Sequence, residues 1–367
     1  MYLRTKPNIT MKDNSPLLII SLPFTIGVFT SLYLPSSGEV SLLYYGTAIG
    51  ILLWANAVFL YYANAHIKPI VGSLLFLCGI LSGIVDKCQF ENIQQPDFIL
   101  QSSLALKNAI LKLPIQDKNA KGLILALLCA DRQALSPEVQ AAFRASGASH
   151  LLALSGLHLG ILAEMTRKIL SPLGNSVTMK IVKSVLIISC SGFYTFVCGA
   201  SPSLVRAFLF ISFSNINSLL PSRKAPAINC LLTSCLIQLS VSPLVIKSIS
   251  FQLSYLACAG IILLYKPLVK WYPIPKGLTF KLWKSLAMSI SCQLFTTPLA
   301  VYKFNVLPKY FLLTNLFAIP ICEVLIYLSV LTITTSALGI CPGALINITQ
   351  RCALLLISLL EKIATIP

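Results

Sequence analysis

Apolar runs of about twenty residues, each broken by proline, glycine or charge, recur along this chain and restrict its folding more than any other feature. A hydrocarbon layer about 30 Å thick takes roughly 20 helical residues to cross, and a helix satisfies its own backbone there. About eleven segments qualify, near 16–34, 40–62, 69–85, 150–166, 184–200, 203–220, 226–246, 249–265, 285–302, 310–335 and 343–363. The fold class predicted is all-α: a polytopic transmembrane helical bundle of about 10–11 spans, with interfacial or re-entrant helices before its core. Composition agrees, since 56% of residues are hydrophobic, 11% are charged and the mean hydropathy is +0.82. Ordinary soluble domains lie far from these values. The twelve cysteines sit singly in apolar runs with no CxxC pair, the pattern of small buried thiols. The first run, Pro16 to Leu34, has no small-residue cleavage pattern after it and reads as a retained span.

Lysine and arginine set the orientation, because short cytoplasmic loops retain them. With the N-terminus inside, fifteen fall on the cytoplasmic side, among them Lys68, Arg167, Lys183, Arg223, Lys270 and Lys284. The short outer connections and the C-terminal end hold only Lys247, Lys303, Lys309 and Lys362, which favours an odd number of spans and an outside C-terminus. The net charge of +17 is therefore mostly a topology signal rather than a nucleic-acid footprint.

Residues 86–149 break the rhythm of short loops. The expected organisation is a three-span region over 1–85, an extracytoplasmic polar and amphipathic linker over 86–121, a membrane core over 122–335 and a last span over 336–367. Ile99, Leu100, Leu104, Leu106, Ile110 and Leu111 recur at near-helical spacing among polar residues, which predicts an amphipathic helix on the membrane surface. The following run Gly122–Ala130 is too short to cross and predicts a re-entrant or interfacial helix.

Polar groups inside the apolar runs mark candidate functional positions, because they are costly in lipid. The densest is "ASHLLALSGLHLGILAE", from Ala148 to Glu164, with His150, Ser155, Gly156 and His158. A serine nucleophile elbow would need glycine at 153 and 157, where the chain has Ala153 and Leu157. His150 and His158 lie eight residues apart, about 12 Å along a continuous helix, too far to share a metal ion. No cofactor or metal is expected; hydrogen bonding in a broken helix or along an aqueous path suits these residues better.

A second cluster, "GASPSLVRAFLFISFSNIN", holds Ser203 and places Arg206 about one turn into an apolar span. Arg206 either reaches out to the headgroups or faces a hydrated cavity and attracts an anion. Gly199 and Pro202 suit a helix start, whose free N–H groups also favour negative charge. Gln252 lies inside another span, and Asn315, Pro320 and Glu323 interrupt a later one as discontinuous helices near transport pathways do. Phe193, Tyr194, Phe196 and Tyr255 are candidates to stack on bases, although aromatics in such runs more often face lipid or core.

Taken in order, "FRASGASHLLALSGLHLGILA", "GASPSLVRAFLF", "SFQLSYLACAGI" and "PKYFLLTNLFAIPI" resemble the motifs of the ComEC family of competence proteins, from about Gly122 to Ile321. The resemblance implies an inner-membrane channel that passes single-stranded DNA during natural transformation. It transfers motif roles to His150, Ser155, Gly156, His158, Ser203, Arg206, Gln252, Asn315 and Pro320. Members of that family are similar in carrying an OB-like domain after the N-terminal spans, where residues 86–121 are too short for a five-stranded barrel. Many also carry a metallo-β-lactamase-like domain, whose His-x-His-x-Asp-His site three histidines do not supply. The expected partners are single-stranded DNA, membrane lipid, a separate DNA receptor, a helicase or other ATPase, a nuclease and a further copy of the chain. The sequence contains no P-loop. Two other readings share this scaffold: a transporter of another anionic solute, and an intramembrane hydrolase using Ser155 and His158.

Overall fold

In the computed structural model the described residues are 16–31, 75–80, 82–83, 97–152, 156–174, 176–219, 226–273, 277–305 and 310–365. Every regular element among them is helical, so the chain is an all-α membrane bundle. Four helices are long and apolar enough to cross a membrane: Val177–Val197, Ile249–Trp271, Phe311–Ala337 and Gly343–Ala364. The span expected over 40–62 lies outside the described residues.

The chain divides into two compact units, Met1–Asn92 with Ala225–Ser248, and Ile93–Lys224 with Ile249–Pro367. In the first, α1 (Pro16–Ser31) packs on helical residues 75–80. Added Cβ atoms at Gly27 and Gly79 would lie 2.0 and 2.2 Å from the Phe76 and Phe24 carbonyl oxygens. The two backbones touch directly, the small-residue contact that lets helices associate without a hydrophobic driving force.

The second unit contains α2 (Asp97–Leu111), α3 (Lys118–Cys129), α4 (Pro137–Ala145), α5 (Ser149–Leu152), α6 (Gly156–Ile169), α7 (Val177–Val197) and α8 (Pro202–Leu219). Between α8 and its last four helices the chain passes through α9 (Ala227–Val241), which belongs to the first unit. The last four are α10 (Ile249–Trp271), α11 (Leu278–Phe304), α12 (Phe311–Ala337) and α13 (Gly343–Ala364), paired as two antiparallel hairpins.

At the centre lies α3, whose twelve residues extend about 18 Å, too little to cross. Leu123, Ile124, Ala126 and Leu127 are buried within 1% of completely, and α4, α5, α12 and α13 supply the surrounding core through Phe143, Leu151, Leu325, Ile326, Leu356 and Leu360. Protein surrounds this helix on all sides, which explains a run apolar all round rather than on one stripe. Asp117 caps its start by accepting from the Ala120 N–H at 2.8 Å. At its end the Leu128 carbonyl accepts from the Tyr194 hydroxyl at 2.9 Å and the Cys198 thiol at 3.3 Å.

The amphipathic α2 packs Ile110 fully inside and leaves Phe98, Leu100, Leu104 and Leu111 exposed. Between α12 and α13, the Thr332 and Thr349 hydroxyls meet at 2.9 Å in the interior.

Gly122 tests how tightly α3 is held. An added Cβ there would lie 2.1 Å from the Ala134 carbonyl oxygen, whereas one at Gly160 on α6 would meet nothing within 4 Å. Gly122→Ala should destabilise by about 1–3 kcal/mol through overpacking, and Gly160→Ala should be neutral or stabilise by up to about 1 kcal/mol through helix propensity. Thermal unfolding of both variants in detergent micelles checks the contrast.

Candidate functional site

The turn joining α7 to α8 brings the second polar cluster into place. Beyond Cys198, Gly199 and Ala200 take φ of +79° and +45°, and the Ala200 N–H returns to the Thr195 carbonyl at 2.8 Å. This ends α7 within two residues, as left-handed conformations do at helix C-termini. Pro202 then opens α8, its fixed φ suiting a first turn. Ser203 is buried near that start, with its hydroxyl 3.4 Å from that of Ser201.

Arg206, the fifth residue of α8, is 8% exposed. Its Nε–H donates to Ser254 Oγ on α10 at 2.6 Å, and its Nη1 donates to Cys258 Sγ one turn further along α10. The guanidinium therefore points inward rather than snorkelling to the surface. It lies against Gly156, the first residue of α6, where an added Cβ would come within 2.5 Å of Arg206 Nη2 and 3.0 Å of Ala207 Cβ. Glycine at 156 is what lets the guanidinium occupy that space.

Among the described residues no carboxylate forms an ion pair with this charge. Among the described residues the ion pairs are Lys107–Asp131 at 2.9 Å and Arg167–Glu164 at 2.6 Å, both partly exposed and distant from Arg206 in sequence. The acceptors at Arg206 are a neutral hydroxyl and a thiol, and the adjoining helix start contributes further positive potential. Such an arrangement favours an anion.

The other expected positions distribute around this point. His158 is fully buried on α6, about 160° round the helix from Gly156 and thus away from Arg206. His150 is exposed on α5, with Nδ1 3.1 Å from the Gly147 carbonyl oxygen. Ser155 lies outside the described residues. Gln252 is half-buried on α10, two residues before the Ser254 that holds Arg206. Asn315 is half-buried on α12 and its Oδ1 has no hydrogen-bond partner among the described residues, while the neighbouring Thr314 hydroxyl donates to the Ser146 carbonyl at 2.7 Å. Pro320 is exposed, and α12 runs continuously through Asn315, Pro320 and Glu323 where a discontinuous helix was expected. Surrounding helical hydrogen bonds outweigh the one that proline removes.

Thus Gly156, Ser203 and Arg206 gather where α6 and α8 begin, beside Ser254 and Cys258. The last two were missed by sequence reasoning. Their four-residue spacing in "FQLSYLACAGI" puts both on one helix face, but nothing in that spacing shows which residue they face. Among the aromatics, Phe193 and Phe196 are half-exposed, Tyr194 spends its hydroxyl on Leu128, and Tyr255 packs on Phe251 at 4.5 Å. Among the described residues, no group of three histidine, cysteine or acidic side chains is placed to hold a metal.

The family model described as Competence protein matches residues 127–367, a stretch that contains all nine expected motif positions. The chain belongs to the Competence protein family. It is also similar to ComE operon protein 3 of Bacillus subtilis (strain 168), with 28% identity over 217 residues, covering 59% of this chain and 26% of that protein. The matched part is thus about a quarter of the relative's length. No solved structure matches. As a Competence-family protein with several apolar spans, the chain is a multi-pass membrane protein.

Coupling across the α8–α10 contact is measurable. In a double-mutant cycle of Arg206→Gln with Ser254→Ala, unfolding in micelles should give an interaction energy of about 1–3 kcal/mol, the range for a hydrogen bond to a charged group. The pair Arg167→Gln with Glu164→Gln, exposed on α6, should couple by less than about 0.5 kcal/mol.

Proposed function

We propose that this chain forms the membrane core of a channel for uptake of single-stranded DNA, with Arg206 as a phosphate-attracting group near the outer end of the path. The carrying observation is the buried guanidinium of Arg206, held by neutral acceptors on α10 against the start of α6, with no carboxylate paired to it among the described residues. A passing phosphate backbone supplies the missing negative charge, and one cation attracts a phosphate without trapping the strand. Family membership and the similarity to a protein named for the ComE operon support DNA as the anion.

In this reading the N-terminus is cytoplasmic and the C-terminus outside, as the distribution of lysine and arginine favours. The starts of α6 and α8 then face outward, where DNA arrives. His150, Ser155, His158, Gln252, Asn315 and Pro320 shape the helices around the path, and the chain acts as a conduit rather than a hydrolase. The partners in this reading are a DNA receptor, a helicase or other ATPase, and a nuclease.

The test is uptake of labelled DNA by a transformable host carrying chromosomal substitutions. Arg206→Gln should lower internalised DNA by about tenfold or more at unchanged protein level, and Arg206→Lys should retain part of the uptake because it keeps the charge but not the planar fork. Wild-type uptake by a strain deleted for the gene would refute the channel reading. Wild-type uptake by the Arg206→Gln strain would remove Arg206 from the path. In proteoliposomes, transport of small anions without transport of DNA would move the site to an anion transporter on the same scaffold.

A further inference from the structure

The hairpin of α10 and α11 ends in a cluster that the proposed channel does not use. Tyr272 stacks on Trp283 with ring centroids 5.7 Å apart and on Phe280 at 6.2 Å, and Trp271 meets Trp283 at 5.6 Å. The Trp283 Nε1–H donates to the Leu268 carbonyl at 2.9 Å, satisfying one of the carbonyls left over at the end of α10. The rings are therefore fixed by one another and by the backbone, while Trp271 remains 75% exposed.

Lysines surround this platform. Residues 263–288 contain five lysines and no acidic residue. Lys266 and Lys270 lie one turn apart on α10, Lys281 and Lys284 one turn apart on α11, and all four are exposed. Lys284 Nζ sits 4.5 Å from the centre of the Phe280 ring. Beside these charges, Leu263, Leu282 and Met288 are also exposed, at 50%, 43% and 39%.

We infer that this end of the hairpin is a binding site for anionic phospholipid, with the lysines on the headgroup phosphate and the exposed apolar side chains on the acyl chains. Apolar surface on the hairpin meets a zone in which cationic groups and indole and phenol rings alternate, the combination that a phospholipid's acyl chains and headgroup need. A single-stranded nucleic acid would use the rings and lysines but would leave Leu263, Leu282 and Met288 uncovered. The inference rests on the membrane character of the fold and is independent of DNA transport.

The three tryptophans make a direct test possible. Trp54→Phe leaves Trp271 and Trp283, so the remaining indole fluorescence reports the cluster. The full chain with that substitution is placed in nanodiscs of phosphatidylcholine with a minor fraction of brominated phosphatidylglycerol or, separately, brominated phosphatidylcholine. Quenching by the anionic lipid should exceed quenching by the zwitterionic one by about twofold or more. With Lys266, Lys270, Lys281 and Lys284 all changed to Gln the preference should vanish, and with all four changed to Arg it should persist. Equal quenching by the two lipids in the Trp54→Phe protein overturns the inference without reference to any lysine variant. So does an unchanged preference in the Gln variant. A single-stranded oligonucleotide that displaces brominated phosphatidylglycerol and quenches the same tryptophans more strongly would also overturn it, reassigning the cluster to nucleic acid.

Discussion

A carbonyl in the buried part of α3 is satisfied by side chains of another helix, and much of the second unit follows from that bond. The Leu128 carbonyl lies in the buried part of this helix, and an orphan carbonyl in such surroundings costs several kcal/mol. The Leu128 carbonyl is met by Tyr194 and Cys198, which fixes the end of α7 against the end of α3. With Cys198 held there, the left-handed turn at Gly199 and Ala200 starts α8 at Pro202. One turn later the chain delivers Arg206 to Gly156. The start of α8, and with it the place of the buried charge, is thus set in part by a hydrogen bond made to a different helix, and Ser254 and Cys258 then hold the guanidinium itself.

The helical class and the long helices were legible from apolar run length, because crossing hydrocarbon leaves little choice of structure. Segment limits were less so. The run at 249–265 marks only part of α10, which continues through Lys266 and Lys270 to Trp271, and the run at 285–302 misses the first turns of α11 with Lys281 and Lys284. An apolar window finds the part of a helix suited to lipid, whereas lysine is a good helix former and lets the helix continue past it. The prolines misled in the opposite direction. Pro320 was read as a break, yet α12 passes through it as α11 passes through Pro298, since neighbouring turns and packing keep a helix together when one hydrogen bond is lost.

Within the candidate site, residue types were legible but pairings were not. The sequence marked Gly156 and Arg206 separately, as members of two motifs fifty positions apart. Their contact depends on how α6 crosses α8, which is fixed by the packing of Leu159 with Leu204 and Ala207 rather than by local pattern. His158 shows the converse. It looked like a companion of Gly156, but two residues along a helix is a rotation of about 200°, so one faces Arg206 and the other does not. A motif that reads as a single polar unit therefore serves two different sides of α6.

Stability alone gives poor reason to keep Arg206. A buried cation that no carboxylate pairs among the described residues loses hydration that a hydroxyl and a thiol replace only in part, and an apolar side chain of similar volume would avoid that cost. The other elements of the site do not lessen it. Gly156 admits the guanidinium, and the start of α6 adds positive potential to a place that is already positive. A fold optimised only for packing would put a larger residue at 156 and a methionine or leucine at 206. Under the proposed reading an anion occupies the site for part of the time, which gives the arrangement a physical reason. A permanent carboxylate would neutralise the charge but would also remove the attraction, so the lack of one beside Arg206 among the described residues suits the proposed reading, in which a negative charge arrives and leaves.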